Sequence, residues 1–258
     1  LFLASILGSV LNGQTKGLLP MANPEAVGLD SKKLEAVDEK MEALIEENRL
    51  TGGTVVIARR GKVAHFETYG LRNQEEELPV EKDTIFRIFS MTKAITSMAA
   101  LMLWEEEKLD LDDPLSKFFP PLKKMKVWKD GNLVDTEREA TVADLLRHTS
   151  GLTYGWMSNK PIREALRSAG VLDRNKKLVP MMNGMGKVPL QFQPGSDWVY
   201  GCSTDVLGGV VEVASGMPFD KFLGVRIFKP LKMKDTGFYV PAEKMNRFAA
   251  NYNYRKGK

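Results

Sequence analysis

Phe86-Arg87-Ile88-Phe89-Ser90-Met91-Thr92-Lys93 opens a long apolar helical stretch that continues through Ala94, Ile95, Met98, Ala99, Leu101 and Met102 to Trp104. Ser90 stands where an apolar run gives way to the helix, and Lys93 follows it by three positions. Residues i and i+3 share a helix face, so the Lys93 amine can reach the Ser90 hydroxyl. A serine needs a base before it attacks a carbonyl. A lysine serves as that base where burial, neighbouring cations or a helix N-terminus favour its neutral form. The same N-terminus carries free backbone N–H groups that can stabilise a developing oxyanion. The spacing by itself is weak, because a chain with 12 serines and 24 lysines in 258 residues meets it about once by chance. On spacing alone, an N-cap serine followed by a solvated lysine accounts for the motif equally well.

Upstream, residues 24–50 hold a helix. Asp30 or Ser31 can cap it, and Leu34, Val37, Met41, Leu44 and Ile45 fall on one face. Thr54-Val55-Val56-Ile57-Ala58 and Val63-Ala64-His65-Phe66-Glu67-Thr68-Tyr69-Gly70 flank a short Gly61 turn and read as a hairpin. His65 alternates with apolar neighbours there, which suits a structural histidine. A helix followed by a hairpin implies an antiparallel sheet covered by that helix.

Downstream the chain reads as mostly helical. Thr141 caps a short helix ending at His148, with Asp144 at its third position, and Gly151 closes it. At that helix end His148 can bond the last carbonyls. Further helices are expected over residues 199–215 and 219–227. Tyr200 follows a Gln193-Pro194-Gly195-Ser196 turn and just precedes the first of these, where it could act as a phenolate base or remain a partly buried core tyrosine. The resulting division is a leading segment 1–23, the first part of a sheet-and-helix lobe over 24–85, and a helical lobe over 86–258 with Ser90 at the junction. Residues 1–11, Leu-Phe-Leu-Ala-Ser-Ile-Leu-Gly-Ser-Val-Leu, are too short to span a bilayer. They have the length of a signal-peptide hydrophobic region, so the segment reads as a signal remnant or an N-terminal extension, and a periplasmic or secreted location is expected.

Composition excludes several classes. Hydrophobic residues at 43% and charged residues at 27% suit a folded globular chain and not a disordered one. One cysteine, Cys202, cannot form a disulfide within the chain, and two histidines, His65 and His148, make no Cys/His zinc cluster. The net charge of +4 is dispersed, and no basic face interleaved with aromatics points to nucleic acid. There is no Gly-x-Ser-x-Gly elbow and no phosphate-binding glycine loop.

Four segments in order resemble the serine β-lactamase and penicillin-binding-protein superfamily, closest to class C β-lactamases and family VIII carboxylesterases. They are Phe86 to Lys93, Leu145-Leu146-Arg147-His148-Thr149-Ser150-Gly151-Leu152, Pro194-Gly195 through Tyr200 to Gly208, and Pro230 to Phe238. The resemblance implies an α+β, β-lactamase-like fold, with an antiparallel sheet flanked by helices plus an all-helical lobe. It implies Ser90 as the acylated nucleophile, Lys93 as its partner, and Tyr200 as the tyrosine that activates Ser90 or protonates the leaving group. No cofactor or metal is needed. The expected activity is hydrolysis of a small ester through an acyl-serine. A β-lactamase or D-Ala-D-Ala peptidase on the same residues, or a non-catalytic ligand-binding relative, are the rival readings.

Two departures qualify the resemblance. Cys202 stands where β-lactamases carry the Asn of Tyr-x-Asn, which puts efficient β-lactam turnover in doubt and favours the esterase branch. Cys202 itself reads as a small buried residue. The family's third motif, Lys/His-Thr/Ser-Gly or Trp-x-Gly, is not found, because Lys234-Asp235-Thr236-Gly237 carries an extra Asp and falls too early. The C-terminal part of the sheet lobe is therefore expected to be absent from this chain. The exposed hairpin edge would then invite another strand, from residues 1–11 or from a second copy in a homo-oligomer.

Overall fold

The structure, a computed structural model, describes residues 19–171, 173 and 175–253. The expected signal remnant over 1–11 lies outside them. The chain divides into two units, Leu1–Arg87 with Tyr239–Lys258, and Ile88–Phe238.

In the first unit, α1 (Ser31–Glu46) starts where the Asp30 side chain accepts the Lys32 N–H at 3.0 Å. β1 (Gly52–Arg59) and β2 (Lys62–Asn73) form the expected antiparallel hairpin, paired from Gly52 opposite Gly70 to Arg59 opposite Lys62 with the register shifting by one residue between Ile57 and Ala58. Its two-residue turn places Arg60 and Gly61 at φ 52° and 71°, both left-handed, which matches the twist of the flanking strands. A two-residue β3 (Leu78–Pro79) pairs with β2 to complete a sheet of order β1-β2-β3. α1 packs on β2. Between them His65, 8% exposed, lies 3.0 Å from the Asp38 carboxylate and 3.4 Å from the Tyr69 hydroxyl, which itself donates to Asp38. His65 is thus a satisfied structural histidine. The stretch 239–253, assigned above to the helical lobe, groups instead with this unit. Ile85 N–H donates to Arg247 at 2.8 Å, Ala249 N–H donates to Ile85 at 2.9 Å, and the Arg87 guanidinium lies 4.2 Å from the centre of the Phe248 ring.

The second unit is built around α2 (Thr92–Glu105) and α6 (Ser203–Ser215). α6 reads Val206-Leu207-Gly208-Gly209-Val210-Val211 through its middle and every one of these is buried. A helix apolar all round belongs in a core, where each buried Val or Leu contributes roughly 1.5–3 kcal/mol. Around α6 pack α2, α3 (Val142–Arg147), α5 (Leu178–Met185) and α7 (Phe219–Leu223). α4 (Lys160–Ser168), capped by the Asn159 side chain, adds Ile162 and Leu166 to the core. The unit is not all-helical. β4 (Lys126–Lys129) and β5 (Asn132–Asp135) form a short hairpin across Asp130-Gly131, both at positive φ. Residues 199–215 are helical only from Ser203, and past α7 the chain continues as a π-type turn over Gly224–Phe228. Among the described residues no helix is long and apolar enough to cross a membrane.

α3 carries the capping box expected of Thr141 and Asp144. Asp144 is fully buried, and its carboxylate accepts from Arg138 at 2.5 and 3.0 Å, Thr141 N–H at 3.0 Å and the Thr149 hydroxyl at 2.8 Å. Burial alone would raise its pKa; the Arg138 ion pair and these hydrogen bonds outweigh burial and hold it below the usual carboxylate range. Its stabilising contribution is therefore complete above the unfolded value of about 3.9 and is lost as pH falls through the lower folded value. Arg138 keeps access to water, so Asp144→Ala is expected to cost on the order of 2–3 kcal/mol at neutral pH. Urea titration should show that deficit shrinking as the pH is brought below the ordinary carboxylate range. A deficit that persists undiminished there would show that packing, and not the carboxylate, supplies the stability.

Candidate active site

Ser90 lies in a single 3-10 turn, Phe89–Met91, that runs directly into α2. The residue before it, Phe89, is held at φ 41° and is 65% exposed. A bulky side chain in the left-handed region costs of order 1–3 kcal/mol, and such strain is retained mainly where a site requires it. Ser90 itself is exposed, with its N–H in the first turn, where amides lack intrahelical acceptors.

The Ser90 hydroxyl and the Tyr200 hydroxyl are 2.5 Å apart. Tyr200 arrives on the segment that leads into α6. The next residue, Gly201, allows the main chain of Leu152 and Thr153 to pass directly over it, since a Cβ there would lie 2.3 Å from the Leu152 carbonyl oxygen. That crossing sets Tyr154 beside Tyr200, with ring centres 5.9 Å apart. Lys93 is half-buried, its ammonium 4.7 Å from the Tyr200 ring centre and 5.9 Å from that of Tyr154. The lysine acts on Tyr200 and makes no hydrogen bond to Ser90. Lys93 and then the Ser90 hydroxyl hold the Tyr200 phenol below its ordinary pKa, against burial, which works in the other direction. The three residues named from sequence are thus brought together, with Tyr200 in the middle.

Sequence reasoning did not find Tyr154 and Asp205. The Tyr154 hydroxyl donates to the Asp205 carboxylate at 2.9 Å, and burial followed by that negative charge pushes the Tyr154 pKa up. Burial also raises the Asp205 pKa, against the Tyr154 hydrogen bond and the Lys93 charge. Asp205 occupies the first turn of α6, where the helix dipole favours a carboxylate. The only available signal was its place five residues after Tyr200.

His148 departs from its expected role. It is itself the left-handed cap of α3, at φ 59°, and its ring stacks on Tyr200 with centres 5.2 Å apart instead of bonding carbonyls. Cys202 is fully buried with its thiol donating to the Thr153 carbonyl at 3.4 Å, and burial pushes its pKa up, so it is no nucleophile. Ser150 and Ser203 are also fully buried, 2.9 Å apart. Trp156 stacks on Tyr154 and is 74% exposed, whereas Met182 and Met185 belong to the core.

Beside Ser90 and Lys93 opens a cavity of about 940 Å³, whose apolar wall includes Phe89, Leu178, Phe219 and Phe238. Among the described residues no cluster of His, Cys, Asp or Glu is placed to hold a metal ion.

A helix-borne Ser-x-x-Lys with a tyrosine hydroxyl on the serine is the arrangement of the serine β-lactamase and penicillin-binding-protein superfamily. Residues 37–258 match the Beta-lactamase family, and the chain belongs to it. It is 35% identical over 234 residues to Esterase EstB of Burkholderia gladioli, an alignment covering 90% of this chain and 58% of that protein. It resembles the solved structure of EstCE1, described as a hydrolase with promiscuous acyltransferase activity, at a TM-score of 0.72 and 28% identity, over 85% of this chain and 55% of that one. A class C β-lactamase shares the fold at a TM-score of 0.68 and 22% identity, over 86% of this chain and 55% of that one. The chain spans about half the length of the curated relatives it matches.

Proposed function

We infer that this protein is a serine hydrolase that cleaves small carboxylic esters through an acyl-Ser90 intermediate. The observation that carries the reading is the 2.5 Å hydrogen bond between Ser90 and a Tyr200 whose pKa is lowered by Lys93. Tyr200, with Lys93 stabilising its phenolate, takes the Ser90 proton as Oγ attacks the ester carbonyl carbon. The oxyanion of the tetrahedral intermediate faces the Ser90 N–H, in the turn that leads into α2. The intermediate collapses, the C–O bond to the alcohol breaks, and Tyr200 returns the proton to the leaving alkoxide. Water then attacks acyl-Ser90, giving up its proton to Tyr200, and the carboxylic acid leaves as the proton returns to Ser90. The apolar cavity beside Ser90 suits the hydrocarbon part of such a substrate.

The esterase similarity supports this over the β-lactamase reading, and so does Cys202. At the position where an amide side chain would meet a lactam, this chain buries a thiol against Thr153. Nitrophenyl acetate, nitrophenyl butyrate and a chromogenic cephalosporin separate the alternatives. Both esters should turn over and the cephalosporin should not. Cephalosporin turnover equal to that of the esters would establish a β-lactamase, and no turnover of any of them a non-catalytic binding relative.

A further inference from the structure

His148 contacts the Tyr200 segment in two independent ways. Its carbonyl accepts the Val199 N–H at 3.1 Å, which ties the end of α3 to the residue just before Tyr200. Its ring stacks on Tyr200 at 30° between planes and meets the edge of Trp198 with centres 6.2 Å apart. The ring's Nδ1 is buried and has no hydrogen-bond partner. A buried nitrogen left unpaired costs about 1–3 kcal/mol, so the imidazole is not held there by that polar contact. What the ring supplies is a flat surface against the phenol whose hydroxyl meets Ser90.

We propose that His148 is a positioning residue for Tyr200: its stacked ring fixes the phenol with the hydroxyl aimed at Ser90 and the ring against Lys93. This rests on the reading of Tyr200 as the base that serves Ser90. The charged and titratable groups around Tyr200 are Lys93, which also faces His148, Asp205, which raises the Tyr200 pKa, and Tyr154, whose ring centre lies 5.9 Å away and whose hydroxyl donates to Asp205. Burial and the Lys93 charge hold His148 below its ordinary pKa, so the stacking ring is neutral at physiological pH.

Two substitutions separate ring from backbone. His148→Asn tolerates the left-handed cap and removes the ring. His148→Phe keeps a ring and removes both nitrogens. With nitrophenyl butyrate, His148→Asn should lower kcat about tenfold or more with KM within about twofold, while His148→Phe should keep kcat within about threefold. Ultraviolet titration of tyrosinate, with Tyr200→Phe as the reference that locates the Tyr200 signal, gives a readout independent of turnover. His148→Asn should move the Tyr200 midpoint upward by about one pH unit as the phenol leaves Lys93, and His148→Phe should leave it in place. An unmoved midpoint in His148→Asn overturns the proposal, as does His148→Phe behaving like His148→Asn at an unchanged melting temperature, which excludes strain from a bulky residue at φ 59° and leaves the nitrogens, not the ring, as what matters. If the unaltered protein turns over no ester but the Tyr200 midpoint moves as described, the positioning stands and the esterase reading fails.

Discussion

Replacing Ser90 by alanine should remove turnover of every acyl substrate, by about 10⁴-fold or more, with no measurable change in fold. Covalent catalysis has no substitute route once the nucleophile is gone, and the donors that remain supply only residual rate. The fold should be indifferent because Ser90 is exposed and its hydroxyl is bonded to the Tyr200 hydroxyl, not into a buried network, so the stability change should stay within about 0.5 kcal/mol. Equal melting temperatures beside absent turnover would bear this out. An Ser90→Ala protein retaining a tenth of its activity would move the nucleophile elsewhere, though Ser150 and Ser203 are sealed in the core.

Tyr200→Phe should be nearly as damaging to rate and equally mild to structure. The ring contacts to His148 and Tyr154 survive, and only the hydroxyl that meets Ser90 is lost. A positioned general base is worth typically 10²- to 10⁴-fold, and kcat should fall by that order with KM little changed. The pH profile carries the sign. Tyr200 must be deprotonated to accept the Ser90 proton, so activity in the unaltered protein falls as pH drops through the Tyr200 pKa. Because Lys93 and Ser90 lower that pKa, the active range extends to lower pH than a free phenol allows. In Tyr200→Phe this acid limb should vanish along with most of the rate. Persistence of the same limb would assign it to another group and remove Tyr200 from the proton path.

What was legible in the sequence follows the range of the interactions involved. The Thr141–Asp144 capping box, the hairpin about Gly61 and the helix after Ser90 are set by residues within a few positions of each other, and each formed as read. The β4–β5 hairpin was equally local, and Asp130-Gly131 between Val127-Trp128 and Leu133-Val134 was its unread signal. Helical spacing placed Ser90 and Lys93 together at the start of α2 but not the partner of the lysine, which lies against Tyr200 and not on the Ser90 hydroxyl, and family resemblance alone pointed to Tyr200. Tyr154 and Asp205 reach the site because the chain crosses over Gly201 and because α6 starts where it does. Both are tertiary facts with no periodicity. His148 was misread for the same reason: a helix cap looks alike whether its ring turns to the last carbonyls or onto Tyr200. The pairing of 247–249 with Ile85 spans more than 160 positions, and no local pattern announces it.

Covalent labelling of the unaltered protein with a fluorophosphonate probe, followed by peptide mapping, tests the central claim most directly. One adduct on Ser90 is expected, absent from Ser90→Ala and formed much more slowly in Tyr200→Phe. An adduct on any other residue, or equal labelling of Ser90→Ala, would contradict the assignment of Ser90 as the acylated nucleophile.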